Sequence, residues 1–99
     1  MQELIDLWVQ RTNDIEPSTL NVYKGQVEQL CNESGIDVLA RIKGILAEQE
    51  FKKQVKNYNQ LMQDADKWFS ANKEPRYATN CMSAFNSFIN ATLIISRAE

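Results

Sequence analysis

The stretch PRYATNCMSAFNSFINATLIIS, residues 75–96, decides how this chain folds. Plotted at about 100° per residue, Tyr77, Cys81, Ala84, Phe85, Phe88, Ile89, Leu93 and Ile95 fall within an arc of about 200°. Thr79, Asn80, Ser83, Asn86, Ser87 and Asn90 lie opposite them. A strand would place apolar residues at every second position, and this stretch does not. An apolar arc that wide needs neighbours on two sides, so the spacing predicts the central helix of a bundle.

Working outward, Asn72-Lys73-Glu74-Pro75 reads as a linker, with Pro75 suited to a helix start because its missing N–H would go unbonded there. Upstream, from roughly Leu46 to Ala71, Phe51, Val55, Tyr58, Leu61, Met62, Ala65, Trp68 and Phe69 recur at the three- and four-residue spacing of an amphipathic helix. Gly44 is expected to break or bend the chain just before it. Asp37 is a good N-cap for a short helix carrying Val38, Leu39 and Ile42. A second helix is predicted from Pro17 to Ser34-Gly35, with Leu20, Tyr23, Val27, Leu30 and Cys31 as its stripe. The first runs from about Gln2 to Arg11, with Leu4, Ile5, Trp8 and Val9 on one side. Two prolines and three glycines leave little room for the turns of an all-β domain. At 99 residues the chain holds one core. The expected fold is therefore all-α, a compact bundle of four to five helices in a single domain over 1–99.

Charge and composition narrow the function. Eleven basic against thirteen acidic residues give a net charge of −2, and the pI is near 5.1. Strong non-specific nucleic-acid binding usually goes with a basic domain, although net charge averages over surfaces that point in different directions. The absence of histidine removes the commonest general base and the commonest metal ligand. Cys31 and Cys81 form no Cys-x-x-Cys pair, so no metal site is expected, and the two thiols read as reduced and buried. No cofactor motif is present. No apolar run approaches the ~20 residues of a membrane span, and the start Met1-Gln-Glu-Leu-Ile-Asp6 lacks the features of a signal peptide. A soluble, cytoplasmic chain with no membrane partner is expected.

Catalytic constellations are weak. Asp64 and Asp66, like Glu48 and Glu50, stand two apart on different helix azimuths, and Ser83 and Ser87 have no histidine to activate them. No enzyme activity is expected. The electrostatic pattern says more. Lys52, Lys53, Lys56, Gln60, Gln63 and Lys67 fall within about 100° of arc opposite the core stripe of their helix, with Asp64 and Asp66 only at its flanks. Arg41 and Lys43 add charge upstream. Lysines with interleaved amides are first of all what an ordinary wet helix face carries, and they also suit phosphates and base edges. The Asn/Ser/Thr side of the last helix, including Ser83 and Asn86, has the same two readings. Leu93, Ile94 and Ile95, with Ile94 alone on the polar side, mark a candidate docking or dimerisation patch. Trp8, Phe51, Trp68, Phe69, Phe85 and Phe88 all fall on core stripes.

Pro17-Ser-Thr19-Leu-Asn-Val-Tyr23 resembles the Thr-x-x-x-Tyr helix of the core-binding domain of tyrosine recombinases (phage integrases), a SAM-like helical module. Ser83-Ala-Phe-Asn-Ser-Phe-Ile89 is similar to that module's closing helix, with Asn86 where members carry arginine. The resemblance implies a domain that embraces double-stranded DNA with its second and last helices, Thr19, Lys24, Ser83 and Asn86 facing the duplex. Combined with the lysine arc, it yields one expectation: a non-catalytic DNA-associated module. Lys24, Lys52, Lys53 and Lys56 would contact phosphates, and Thr19, Ser83 and Asn86 would make polar contacts. The competing expectation is a protein-interaction or homodimerisation module of a phage or mobile-element accessory protein, working through Leu93, Ile94 and Ile95.

Overall fold

Three of the helices begin where a residue's chemistry makes them do so. The computed structural model describes the backbone of residues 1–98 and the side chains of residues 1–93. Helix α1 spans Gln2–Arg11, α2 Pro17–Glu33, α3 Val38–Ala47, α4 Phe51–Asn72 and α5 Pro75–Ala98, and no strand occurs among the described residues. Pro17 opens α2, and Ile15 and Leu20 hold the positions of a hydrophobic staple across that start, bordering one pocket. Past its end Gly35 takes φ +79°, the left-handed conformation that halts a helix. The Asp37 carboxylate accepts the Ala40 N–H at 3.1 Å and so caps α3.

The break expected at Gly44 does not occur. Helix α3 runs through to Ala47, the chain turns at Glu48-Gln49-Glu50, and α4 starts at Phe51 rather than near Leu46. Ile42 and Ile45, on either side of the glycine, are both 2% exposed, and helical backbone between them keeps both inside. Burying them offsets the roughly 1 kcal/mol that a glycine costs in a helix.

Helix α5 lies against all four others, the central place its wide apolar arc predicts. Ala78, Cys81, Ala84, Phe85, Phe88 and Ile89 are buried along it. Trp8 of α1 is fully buried edge-on to Phe88, with ring centroids 5.4 Å apart, and its Nε1–H donates to Ser87 Oγ at 3.2 Å. Ile5 of α1, Leu20, Val27 and Leu30 of α2, Val38, Ile42 and Ile45 of α3, and Leu61, Ala65 and Phe69 of α4 complete the core. Both cysteines are free thiols, Cys81 buried and Cys31 half-buried. Gln26 Oε1 and Thr92 Oγ1 are buried without a hydrogen-bond partner among the described residues.

Two aromatic residues depart from their expected places. Phe51, read as core, is 75% exposed, and Val55 beside it is 39% exposed. The buried side chains of α4 begin only at Leu61, so its apolar stripe runs on past the end of the core. Tyr77, read as part of the α5 arc, is 44% exposed in the first turn, where the Lys73 ammonium sits 5.6 Å from its ring centroid.

Candidate nucleic-acid interface

Burial of Leu61, Ala65 and Phe69 turns the opposite side of α4 outward. Lys52, Lys53, Lys56, Gln60, Gln63 and Lys67 are all exposed there, with no carboxylate inside their arc. Three ion pairs form among the described residues. Lys53 Nζ lies 3.6 Å from Glu50 Oε2, Arg41 Nη2 2.9 Å from Asp64 Oδ2, and Lys24 Nζ 3.8 Å from Asp6 Oδ1. Lys52, Lys56 and Lys67 take part in none of them. These three are the uncommitted cations of the face.

The edge toward α3 is neutralised. Gln60 Nε2 donates to Asp64 Oδ1 at 2.9 Å while Arg41 holds Oδ2, and the two hydrogen bonds keep this carboxyl below its ordinary range. Arg41, counted with the basic residues in the sequence, is spent on Asp64. Together with Ala40, Gly44, Ile45 and Asn57 these side chains line an open cleft of about 390 Å³.

Across the other edge, α4 is pinned to the polar side of α5. Tyr58 Oη lies 3.2 Å from Asn86 Oδ1 and 2.9 Å from Asn90 Oδ1 and shares its one hydrogen between them. Asn90 Nδ2 donates to Asn86 Oδ1 at 3.2 Å. Sequence reasoning placed Tyr58 on the core stripe; its ring does pack there, and only the hydroxyl at its tip signalled a second role. Next to this cluster Met62, Thr79, Met82, Ser83 and Asn86 line a shallow groove of about 330 Å³. Ser83 Oγ donates to Thr79 O at 3.2 Å, so its proton is directed to its own helix, whereas Asn86 Nδ2 makes no hydrogen bond among the described residues. Asp66, Asn59, Lys52 and Gln63 follow Met62 around α4 within about 100° of arc, so one exposed carboxylate stands at the seam. The lysine face and the Ser83/Asn86 face therefore adjoin.

Thr19 and Lys24 do not join them. Helix α2 packs on the apolar side of α5, so its outer surface lies across the bundle from the polar side of α5. Thr19 is exposed there, and Lys24 is turned toward Asp6 of α1. The first two helices also collect negative charge: Glu3, Asp6, Asp14, Glu16, Glu28 and Glu33 stand against Arg11 and Lys24. From α3 to the end of α4 the balance reverses, with Arg41, Lys43, Lys52, Lys53, Lys56 and Lys67 against Glu48, Glu50, Asp64 and Asp66. Of the suggested docking patch, Leu93 is half-buried at the α4–α5 contact, and the side chains of Ile94 and Ile95 lie outside the described residues.

Burial pushes the Cys31 thiol up to about 11 and raises that of Cys81, which leaves both weakly nucleophilic. No group of His, Cys, Asp and Glu able to hold a metal occurs among the described residues, and no helix there is long and apolar enough to cross a membrane. Fold and surface together define an all-α bundle of five helices with one cationic helix face beside a neutral polar one. No family model, curated protein or solved structure matches the chain.

Proposed function

We propose that this chain is a non-catalytic module that docks on the backbone of double-stranded DNA through α4 and the adjoining polar side of α5. The observation that carries the reading is the acid-free face of α4 with Lys52, Lys56 and Lys67 outside every ion pair among the described residues. Lysine in such a setting supplies a point charge to phosphate without first giving up a partner. Asn86 Nδ2 adds a neutral donor beside it, and Ser83 donates after a rotation of its hydroxyl. The separation of charge between α1–α2 and α3–α4 supports an oriented approach: the acidic half is repelled by the duplex and the basic half attracted.

The likeness of the Pro17–Tyr23 and Ser83–Ile89 segments to a recombinase core-binding module favours DNA over other polyanions. The contacting pair differs from the one that likeness implies, because α2 stands behind α5 and Lys24 serves Asp6. We therefore assign contact to one side of the bundle rather than to an embrace. A one-sided contact through three lysines is modest and strongly salt-dependent. Titration of a fluorescent duplex should give a log–log salt slope of about −2.7, from about 0.9 per phosphate neutralised. Absence of binding at low salt, or a slope near zero, would remove the proposal.

A further inference from the structure

We propose that the N-terminal half of α4 is the docking site of an acidic amphipathic helix from a partner protein, anchored on Phe51 and Val55 with its carboxylates on Lys52 and Lys56. Before Leu61 this helix has no fully buried side chain: Gln54 and Tyr58 are half-buried, and Phe51 and Val55 are exposed. Phe51 and Val55, one helical turn apart, form an exposed apolar edge parallel to the axis. With Ile45, Gln54, Tyr58 and Leu93 they border a cleft of about 150 Å³. That is smaller than a typical small-molecule site and fits a single leucine- or phenylalanine-sized side chain. Its walls are preset: Gln54 Nε2 donates to Ile45 O at 2.8 Å, and Tyr58 is tied to Asn86 and Asn90. An anchor residue entering a fixed pocket beside an apolar ridge is the helix-in-groove mode of recognition.

Charge selects the occupant. Lys52 and Lys56 flank the apolar edge at i,i+4, where like charges repel, and α4 has no acidic residue in its first turn to offset them. A helix bearing Glu or Asp beside its apolar stripe relieves that repulsion as it binds. A second copy meeting the patch across a two-fold axis would instead bring four such lysines together. Nor do the acidic helices of another copy offer an apolar stripe, because α1 and α2 turn theirs inward and leave only Val22 strongly exposed. Phosphate docking makes no use of Phe51 or Val55. Because Lys52 and Lys56 serve both ligands, the inference also rests on the DNA reading in one respect: helix and duplex compete.

The test is selection of a displayed library of helical peptides, with Leu or Phe at i, i+4 and i+7 and all other positions varied, against the full chain. The selected peptides should carry acidic flanks. Phe51→Ser should weaken the best of them about thirtyfold, the loss usual for a truncated aromatic anchor, and Lys52→Gln with Lys56→Gln should weaken it further. Circular dichroism of these variants should be unchanged, since all three residues are exposed. Failure to select any binder, selected peptides without acidic flanks, or an affinity indifferent to Phe51→Ser overturns the inference. So does a concentration-dependent dimer mass that Phe51→Ser abolishes, which would make a second copy the occupant. Peptide binding is read without DNA present, so a chain that binds peptide but no duplex refutes the DNA reading and leaves the docking site standing. Displacement of a bound duplex by the peptide supports both.

Discussion

Reversing one charge at the start of α4 should make the protein more stable and a weaker ligand of DNA at the same time. Lys52 is the second residue of that helix, at the positive end of its dipole, and stands one turn from Lys56. An exposed charge near a helix end contributes about 0.3–1 kcal/mol, so Lys52→Glu replaces one unfavourable contribution with one favourable one. It also converts a like-charge i,i+4 pair into a Glu-to-Lys pair of the better polarity, about 0.2–0.5 kcal/mol in each direction. The expected gain is about 1–3 kcal/mol at low salt, or a rise in Tm of roughly 5–15 °C for a domain of this size. Salt should shrink it, because the site is exposed. Removal of one of three free cations should meanwhile reduce the duplex salt slope from about −2.7 to about −1.8. Thermal melts followed by circular dichroism and anisotropy titrations across a salt series measure the two effects separately. A lower Tm would refute the electrostatic account of the helix start. A salt slope unchanged by Lys52→Glu would refute the role of this lysine at the interface.

Trp8→Ala should cost about 3–5 kcal/mol in urea unfolding, since it removes the ring packed on Phe88 and leaves Ser87 without its donor; a loss below about 1 kcal/mol would contradict the assigned packing. Thr92→Val keeps the shape but deletes a buried hydroxyl that has no partner among the described residues, and should stabilise by about 1 kcal/mol in the same assay. The carboxyl of Asp64 is held below its ordinary value of 3.8 by Gln60 and Arg41, so the unfolded chain takes up this proton first as pH falls. The contribution of Asp64 is complete above that ordinary value and is lost as pH drops through the lower folded one. Asp64→Asn should flatten the acid limb of stability in that window and leave the neutral region's pH dependence unchanged. Both thiols should resist a thiol reagent at pH 8 in the native state and react fully in guanidinium, as burial of Cys31 and Cys81 requires.

The parts of this fold that were legible are those where one residue type has one physical use. Pro17 and Pro75 begin helices, Gly35 ends one in the left-handed region, Asp37 caps one, and the wide arc of α5 requires neighbours on two sides. Periodicity cannot say where along a helix the neighbours stop. Phe51 keeps the spacing of Leu61, Ala65 and Phe69, yet it is 75% exposed, because the fully buried stretch of α4 begins only at Leu61. Gly44 fails as a breaker for the complementary reason, since Ile42 and Ile45 on either side of it have a core to enter.

The same limit governs the candidate site. An arc on one helix can be drawn from the sequence, and the α4 lysines are where that arc puts them. Which helix stands next to which is a tertiary fact, and it removes Lys24 to Asp6, spends Arg41 on Asp64 and joins Asn86 to α4 through Tyr58. Net charge misleads here because it sums surfaces that no ligand meets together. An acidic pair of helices on one flank outweighs a cationic helix on another in the sum, while salt screens exposed charges from one another beyond roughly 10 Å. A duplex approaching α4 therefore meets Lys52, Lys56 and Lys67 almost as if α1 and α2 were neutral. If that is right, neutralising Glu3, Glu16 and Glu33 together raises the pI yet changes duplex affinity little at physiological salt. An increase there as large as the loss from a single α4 lysine would show that the whole molecule's charge governs binding rather than this face.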